Sequence, residues 1–254
     1  MPQSRETLPA SVEDRIAAVD WADVCATLDA VGAASLGPVL TPHDCAGIAA
    51  LYDDADRFRS KVVMRRHGFG EGEYQYFARP LPGLVDALRT AVYPRLVPTA
   101  NAWAEALGRP TRYPDRLSDF LDTCHAAGQD RPTPPLLKYG AGDYNRLHQD
   151  LYGALHFPLQ MVVLLSRPGV DFDGGTFVLT EQKPRHQSRA EAIALAQGEA
   201  VVFAVNDRPG FGARGAHRLV MRHGVSRITR GDRMTLGVIF HDAVSATHLT
   251  LPTT

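Results

Sequence analysis

"YNRLHQDLYG", Tyr144 to Gly153, places a histidine and an aspartate two residues apart. On a strand, residues i and i+2 point to the same face, so the spacing predicts that His148 and Asp150 project side by side while Gln149 turns away. Such a pair offers two of the three facial ligands of a metal site. Taken alone it is weak, because a chain with ten histidines is expected to hold about one His-x-Asp pair by chance. The competing reading is a metal-free sandwich in which the two residues form a surface pair. The texture of the surrounding chain and the presence of a third ligand decide between them.

Downstream of Pro135 short apolar runs alternate with glycine, aspartate and proline: "PLLKYG" (135–140), "FPLQMVVLLS" (157–166), "TFVLT" (176–180), "GEAVVFAV" (198–205), "HGVSRI" (223–228) and "RMTLGVIFHDA" (233–243). Six strand-length runs with one helical insert, "SRAEAIALA" (188–196), predict an all-β sandwich or barrel, with a jelly roll as the natural candidate. Upstream, from Val12 to His125, apolar residues recur three and four apart. "IAAVDWADVCATLDAVG" (16–32) and "PGLVDALRTAVYPRLVPTANAWAEALG" (82–108) therefore predict helices. "GPVLTPHDCAGIAALYDDA" (37–55) predicts a short strand and then a helix capped by Thr41, with Pro42 at its first position and Asp44 in its acidic first turn. "RRHGFGEGEYQYFARP" (65–80) predicts a hairpin or loop with a strand at Glu73 to Phe77, and "GQDRPTPP" (128–135) marks a boundary. The expected organisation is a flexible tail over 1–10, a helical region over 11–127 that packs on the core and supplies a substrate lid, and a β core over 128–254, all within one integrated unit.

Composition narrows the function classes. The 254 residues are 44% hydrophobic, enough for a sizeable core. Charged residues make up 22% and leave a net charge of −1, so no global field advertises a polyanion or a membrane surface. Lys61, Lys138 and Lys183 are the only lysines among 27 basic residues, an arginine bias that carries little functional weight. Cys25, Cys45 and Cys124 are odd in number and widely spaced, which argues against a disulfide framework and fits a reducing cytoplasm. No apolar run of signal-peptide or membrane-spanning type is present, so no membrane partner is expected. Nothing here fixes an oligomeric state.

A third ligand is expected from another strand, and a neutral imidazole suits the role at pH 7. His223 is the candidate, opening a strand that reaches the turn "TRGD" (229–232) before the chain returns through Arg233. His217 is the rival, but position 227, ten residues on, falls before the turn, so its arginine is not returned beside the histidine as Arg233 is beside His223. An arginine at the start of a buried strand needs a partner, and its planar fork suits a carboxylate held by two parallel hydrogen bonds.

With these residues in place, the span from Tyr139 to Ala243 resembles the Fe(II)- and 2-oxoglutarate-dependent dioxygenases of the prolyl 4-hydroxylase-like branch. It is especially similar to a prokaryotic group labelled as oxygenases of nucleic-acid lesions. The resemblance is carried by "HQDLYG", "FPLQ", "GGTFVLTEQ", "QSRAE", "GEAVVFAV", "MRHGVS" and "LGVIFHDA", and covers about two fifths of the chain. It implies a double-stranded β-helix in which His148, Asp150 and His223 hold Fe(II). It implies further that 2-oxoglutarate chelates the metal and reaches Arg233 with its far carboxylate, and that O2 is consumed as 2-oxoglutarate is converted to succinate and carbon dioxide. Tyr139 stands where relatives place an aromatic residue in the cosubstrate pocket. Leu164 stands where many carry a tyrosine that touches the far carboxylate, so that contact is absent or comes from Lys138, Tyr139 or Thr235.

Strand alternation adds Gln160, Val162 and Leu164 on one face, Val225 beside His223 and Thr235 beside Arg233. Gln160 is a candidate hydrogen-bond partner of the cosubstrate, and Gly174 and Gly175 are expected to serve a bend with no direct chemistry. His156, His186 and His241 are expected to be structural. Tyr144, Asn145, Arg222 and Tyr76 are the candidate substrate contacts. The cluster Arg208, Arg214, Arg218, Arg222, Arg227 and Arg230 is either a phosphate groove, helped by Arg65, Arg66, His67 and Tyr74, or a salt-bridged, solvated face; near-zero net charge favours the second. Three substrate classes stay open: a modified nucleobase, a protein side chain or a small metabolite. The reading from outside enzymology is a metal-binding jelly roll that senses a carboxylate ligand.

Overall fold

The computed structural model of the protein describes residues 11–213 and 215–244; the expected tail over 1–10 and Arg214 of the arginine cluster lie outside the described residues. In chain order the elements are α1 Val12–Ala17, α2 Trp21–Val31, β1 Ala33–Pro38, α3 Pro42–Ala50, β2 Phe58–Val63, β3 Gly70–Glu71, β4 Glu73–Phe77, α4 Gly83–Ala106 and α5 Leu117–Ala126. There follow β5 Pro135–Tyr139, β6 Tyr144–His148, β7 Leu159–Leu164, β8 Phe172–Gly174, β9 Phe177–Gln182, β10 Arg189–Ile193, β11 Glu199–Ala204, β12 Asp207–Gly212, β13 Gly215–Val225, β14 Ile228–Gly231 and β15 Arg233–Val238.

Apart from β8 and β14, which pair with each other, the strands form two antiparallel sheets, the double-stranded β-helix expected from the runs after Pro135. One has seven strands in the order β1-β11-β7-β15-β5-β4-β2; the other runs β10-β9-β13-β6-β3, with β12 also paired to β13. The N-terminal half therefore supplies three strands of the larger sheet as well as helices. Met161, Val163, Val201, Leu236 and Val238 are fully or almost fully buried in the larger sheet. Helix α4 buries Val85, Leu88, Val92, Leu96 and Trp103 at the three-and-four spacing read from the sequence, and Pro94 and Pro98 do not end it. The capping box of α3 forms as expected, with the Thr41 hydroxyl accepting from the Asp44 amide and the Asp44 carboxylate accepting from the Thr41 amide. Among the described residues no helix is long and apolar enough to cross a membrane.

Several local expectations need correction. "SRAEAIALA" holds no helix: Arg189–Ile193 is an edge strand on β9, with Ala192 opposite Val178. The run is too short to separate a period of 2 from one of 3.6, and the available strand partner outweighs the helix propensity of alanine. The expected helix over 16–32 is two helices, because Asp20 caps a new one by accepting from the Asp23 amide. The strand expected at 37–40 lies earlier, at Ala33–Pro38, and the Val39 and Leu40 amides instead donate to the Gly198 carbonyl. His223 stands near the end of β13, not at the start of a strand, and "TRGD" is largely the strand β14 paired with β8.

Candidate metal and carboxylate site

The smaller sheet brings the two histidines together. His223 and His148 are direct partners across the β13–β6 ladder, and their ring centroids are 4.3 Å apart. Strand β6 ends at His148, so Asp150 reaches the same place from the following loop and not by strand alternation. Its Oδ1 is 3.4 Å from His148 Nε2 and its Oδ2 is 3.3 Å from His223 Nε2. One ligand atom from each of the three lies within 4.8 Å of the others, a spacing that suits a single cation. His217 is not in this cluster; it sits up the β12–β13 hairpin opposite Gly210.

Hydrogen bonding prepares these side chains for a metal. His148 Nδ1 is 2.7 Å from the Arg146 carbonyl oxygen, which can only accept, so Nδ1 carries a proton and Nε2 is the ring atom turned to Asp150. Burial opposes the charged ring, but Asp150 and then the Arg146 carbonyl outweigh it and raise the His148 pKa. Burial opposes ionisation of Asp150, but His148 and His223 outweigh it and hold the carboxyl well below the usual carboxylate range. Burial, and then His148, push His223 down, favouring the neutral imidazole a metal requires. Asp150 accepts two further hydrogen bonds, from the Tyr152 hydroxyl at 2.7 Å on Oδ1 and from Gln160 Nε2 at 2.8 Å on Oδ2.

Arg233 opens β15 opposite Tyr139 and is 2% exposed. Its Nε and Nη1 are buried without a hydrogen-bond partner, while its guanidinium lies 5.7 Å from the Tyr139 ring centre and 5.9 Å from that of Phe172. Burial pushes its pKa down to about 10, with only Tyr139 opposing. Gly175 has a use beyond a bend: a Cβ there would come within 2.8 Å of the Arg233 side chain, and its φ of +62° suits glycine.

A single cavity between the sheets joins these groups. Its wall includes Tyr139, Asn145, His148, Asp150, Gln160, Val162, His223, Val225, Arg233 and Thr235, with Phe69, Tyr74, Tyr76 and Tyr152 as an aromatic side. Leu164 is buried but does not reach the wall. Of the candidate substrate contacts, Asn145 and Tyr76 line the cavity and two do not. Tyr144 pairs with Glu71 in the β3–β6 ladder, and Arg222 is exposed on the strand face opposite to that of His223. Three members of the arginine cluster meet acidic side chains: Arg208 is buried against Glu181 and the Asp29 and Ala30 carbonyls, Arg230 pairs with Asp173 at 2.6 Å, and Arg218, largely exposed, lies 3.8 Å from Asp207.

Two contributors escaped the sequence reading. Tyr152 continues the two-residue spacing of His148 and Asp150, a signal present in "HQDLYG". Gln129, inside the stretch read as a boundary, is 1% exposed; its Nε2 donates to the Leu155 and Asp242 carbonyls and its Oε1 accepts from the Leu155 amide. No periodicity announces such a residue.

Residues 72–243, which contain His148, Asp150, His223 and Arg233, match the family described as "Oxygenase, catalysing oxidative methylation of damaged DNA". The chain belongs to this oxygenase family. The oxygenase is also 51% identical over 167 residues to Uncharacterized protein Rv2227 of Mycobacterium tuberculosis H37Rv, a match covering 66% of this chain and 72% of the relative. Among solved structures, a Pseudomonas putida prolyl-4-hydroxylase aligns with a TM-score of 0.52 at 16% identity, covering 89% of the oxygenase and 100% of that chain. An oxidoreductase of the 2OG-Fe(II) oxygenase family from Burkholderia pseudomallei gives 0.51 at 18% identity, covering 89% and 94%. The oxygenase thus has the jelly-roll fold of the 2-oxoglutarate- and Fe(II)-dependent enzymes that its sequence resembles.

Proposed function

We propose that the oxygenase uses Fe(II) and 2-oxoglutarate to hydroxylate or oxidatively dealkylate a modified nucleobase. The observation that carries the cosubstrate is the unpartnered guanidinium of Arg233, a buried cation with two orphan donor atoms in the same cavity as the His148, Asp150 and His223 cluster. A buried charge without a partner is costly unless a ligand supplies one, and a carboxylate matches the fork of an arginine. Two neutral imidazoles and one carboxylate are the donor set that suits Fe(II) with positions left open. Fe(II) bound there with 2-oxoglutarate supplies the activation of O2, driven by conversion of 2-oxoglutarate to succinate and carbon dioxide.

The chain's own residues do the rest. Arg233 holds the far carboxylate; Tyr139, Val162, Val225 and Thr235 form the wall along which the diacid lies; Gln160 keeps a buried Oε1 free to accept a hydrogen bond. Phe69, Tyr74, Tyr76 and Tyr152 give the cavity an aromatic side on which a flat ring can stack. Arg59 lies 4.5 Å over the Tyr76 ring, adding positive charge behind it. This aromatic side and the family's description favour a base over a protein side chain or small metabolite.

Succinate release tests the reaction. The protein with Fe(II) and 2-oxoglutarate under air is expected to form succinate slowly alone and faster with an oligonucleotide bearing an N-alkylated base, whose mass then changes. A jelly roll that only senses a carboxylate would bind both metal and 2-oxoglutarate and release no succinate.

A further inference from the structure

The orientation of Asp150 is not fixed by the sheet. Strand β6 stops at His148, so no ladder pairing extends to the aspartate, and its carboxylate would be free to turn about its own bond. Two side chains hold it from opposite sides, the Tyr152 hydroxyl on Oδ1 and Gln160 Nε2 on Oδ2. Gln160 is delivered by β7 in the larger sheet and is 5% exposed. Tyr152 is delivered by the loop after β6, and that loop is itself pinned. The Val244 amide donates to the Tyr152 carbonyl, and Gln129 holds both the amide and the carbonyl of Leu155. A Cβ on Gly153 would lie 2.4 Å from the Gln129 side chain, so the chain passes the glutamine closely just after Tyr152. The Tyr152 ring meets Tyr76 edge-on at 6.1 Å and His241 at 5.9 Å, which leaves the hydroxyl pointed at Asp150.

We infer that Tyr152 is a positioning residue that, together with Gln160, sets the plane of the Asp150 carboxylate before any cation arrives. This inference rests on the three-ligand reading of His148, Asp150 and His223 and adds a residue pair to it. The physical gain is preorganisation: a carboxylate already held in place loses less freedom on binding, and outer partners of this kind change metal affinity by roughly 10–100-fold. Because both partners restrain one rotation, releasing either frees the carboxylate, so their effects should not add.

The test is anaerobic titration of the full chain with Co(II) alone, following affinity and the Co(II) visible absorption spectrum, without turnover. Tyr152→Phe keeps the ring contacts and removes only the hydroxyl. It is expected to weaken Co(II) binding by about 10-fold or more and to alter the spectrum. Gln160→Met is expected to do the same from the other side, and the double variant to lose little beyond the larger single effect. Co(II) affinity within twofold of the original chain and an unchanged spectrum for Tyr152→Phe overturn the inference. Should that variant fail to fold, unchanged affinity in Gln160→Met overturns it equally. Asp150→Ala separates the two levels: if it binds Co(II) as the original chain does, the three-ligand reading fails first, whereas loss of binding there with no change in Tyr152→Phe sinks the positioning role alone.

Discussion

Arg89 and Asp242, 153 residues apart, form an ion pair at 2.8 Å in which neither side chain is more than 1% exposed. The pair ties α4 to the chain just beyond β15, and Asp242 also meets Arg79 and His125. Arg89 further donates from Nε to the Ile239 carbonyl.

Removing one partner of such a pair leaves a buried charge without compensation. Asp242→Asn is therefore expected to destabilise the fold by about 3–5 kcal/mol in chemical denaturation. Burial raises the Asp242 pKa, but Arg89, His125 and Arg79 outweigh burial and hold it below its ordinary value. A depressed carboxylate contributes stability that is complete above the unfolded value near 3.9 and lost as pH falls through the lower folded value. The original chain should lose this contribution below about pH 4, and the asparagine variant should lack that part of the profile.

His241 acts at milder pH. It is 1% exposed, its Nδ1 accepts from the Phe157 amide, and burial, then His156 and Arg89, push its pKa down to about 3. Between about pH 6.5 and that value only the unfolded chain takes up the proton, so stability rises with pH by up to about 1.4 kcal/mol per unit. His241→Asn, which keeps an acceptor for Phe157, should flatten the slope of melting temperature between pH 4 and 6.5. An unchanged slope would assign it to other groups, His156 first.

Arg233→Met separates ligand binding from folding. Loss of a charge-assisted partner worth about 1.5–3 kcal/mol should raise the 2-oxoglutarate concentration needed for half-maximal succinate release by roughly 10–100-fold while Co(II) binding persists. The ligand-free variant should melt no lower than the original chain, because the unpartnered cation it loses costs stability. A marked fall in melting temperature would mean that Arg233 has a structural partner.

Gly153→Ala should cost about 1–3 kcal/mol in denaturation, since the new methyl would lie 2.4–2.8 Å from the buried Gln129 amide. The same variant should weaken Co(II) binding by displacing Tyr152. Unchanged stability would show that Gln129 can give way.

Much of the chemistry was legible in the linear order of residues. His148, Asp150, His223 and Arg233 carry atoms with few other uses in a buried apolar setting, and all four line one cavity. Glu73–Phe77, the capped helix at Thr41 and the long helix after Pro82 were legible because each is fixed by local period or cap chemistry. The run at Arg189–Ile193 was misread because five residues of mixed period do not carry their own answer; the β9 partner does.

Sequence alone determined which side chains are available: the ligand set, the cation for a carboxylate, and the alternating apolar runs that must pair into sheets. Tertiary structure alone decided that Asp150 reaches the histidines from a loop, that Tyr152 and Gln160 hold it, and that Gln129 and Gly153 shape that loop. It also decided that Arg208 and Arg230 are engaged in ion pairs with Glu181 and Asp173. The physical reason is the range of the interactions: periodicity and capping act within a few residues, whereas hydrogen-bond partners and close packing join residues dozens of positions apart that only the closed double sheet brings into contact.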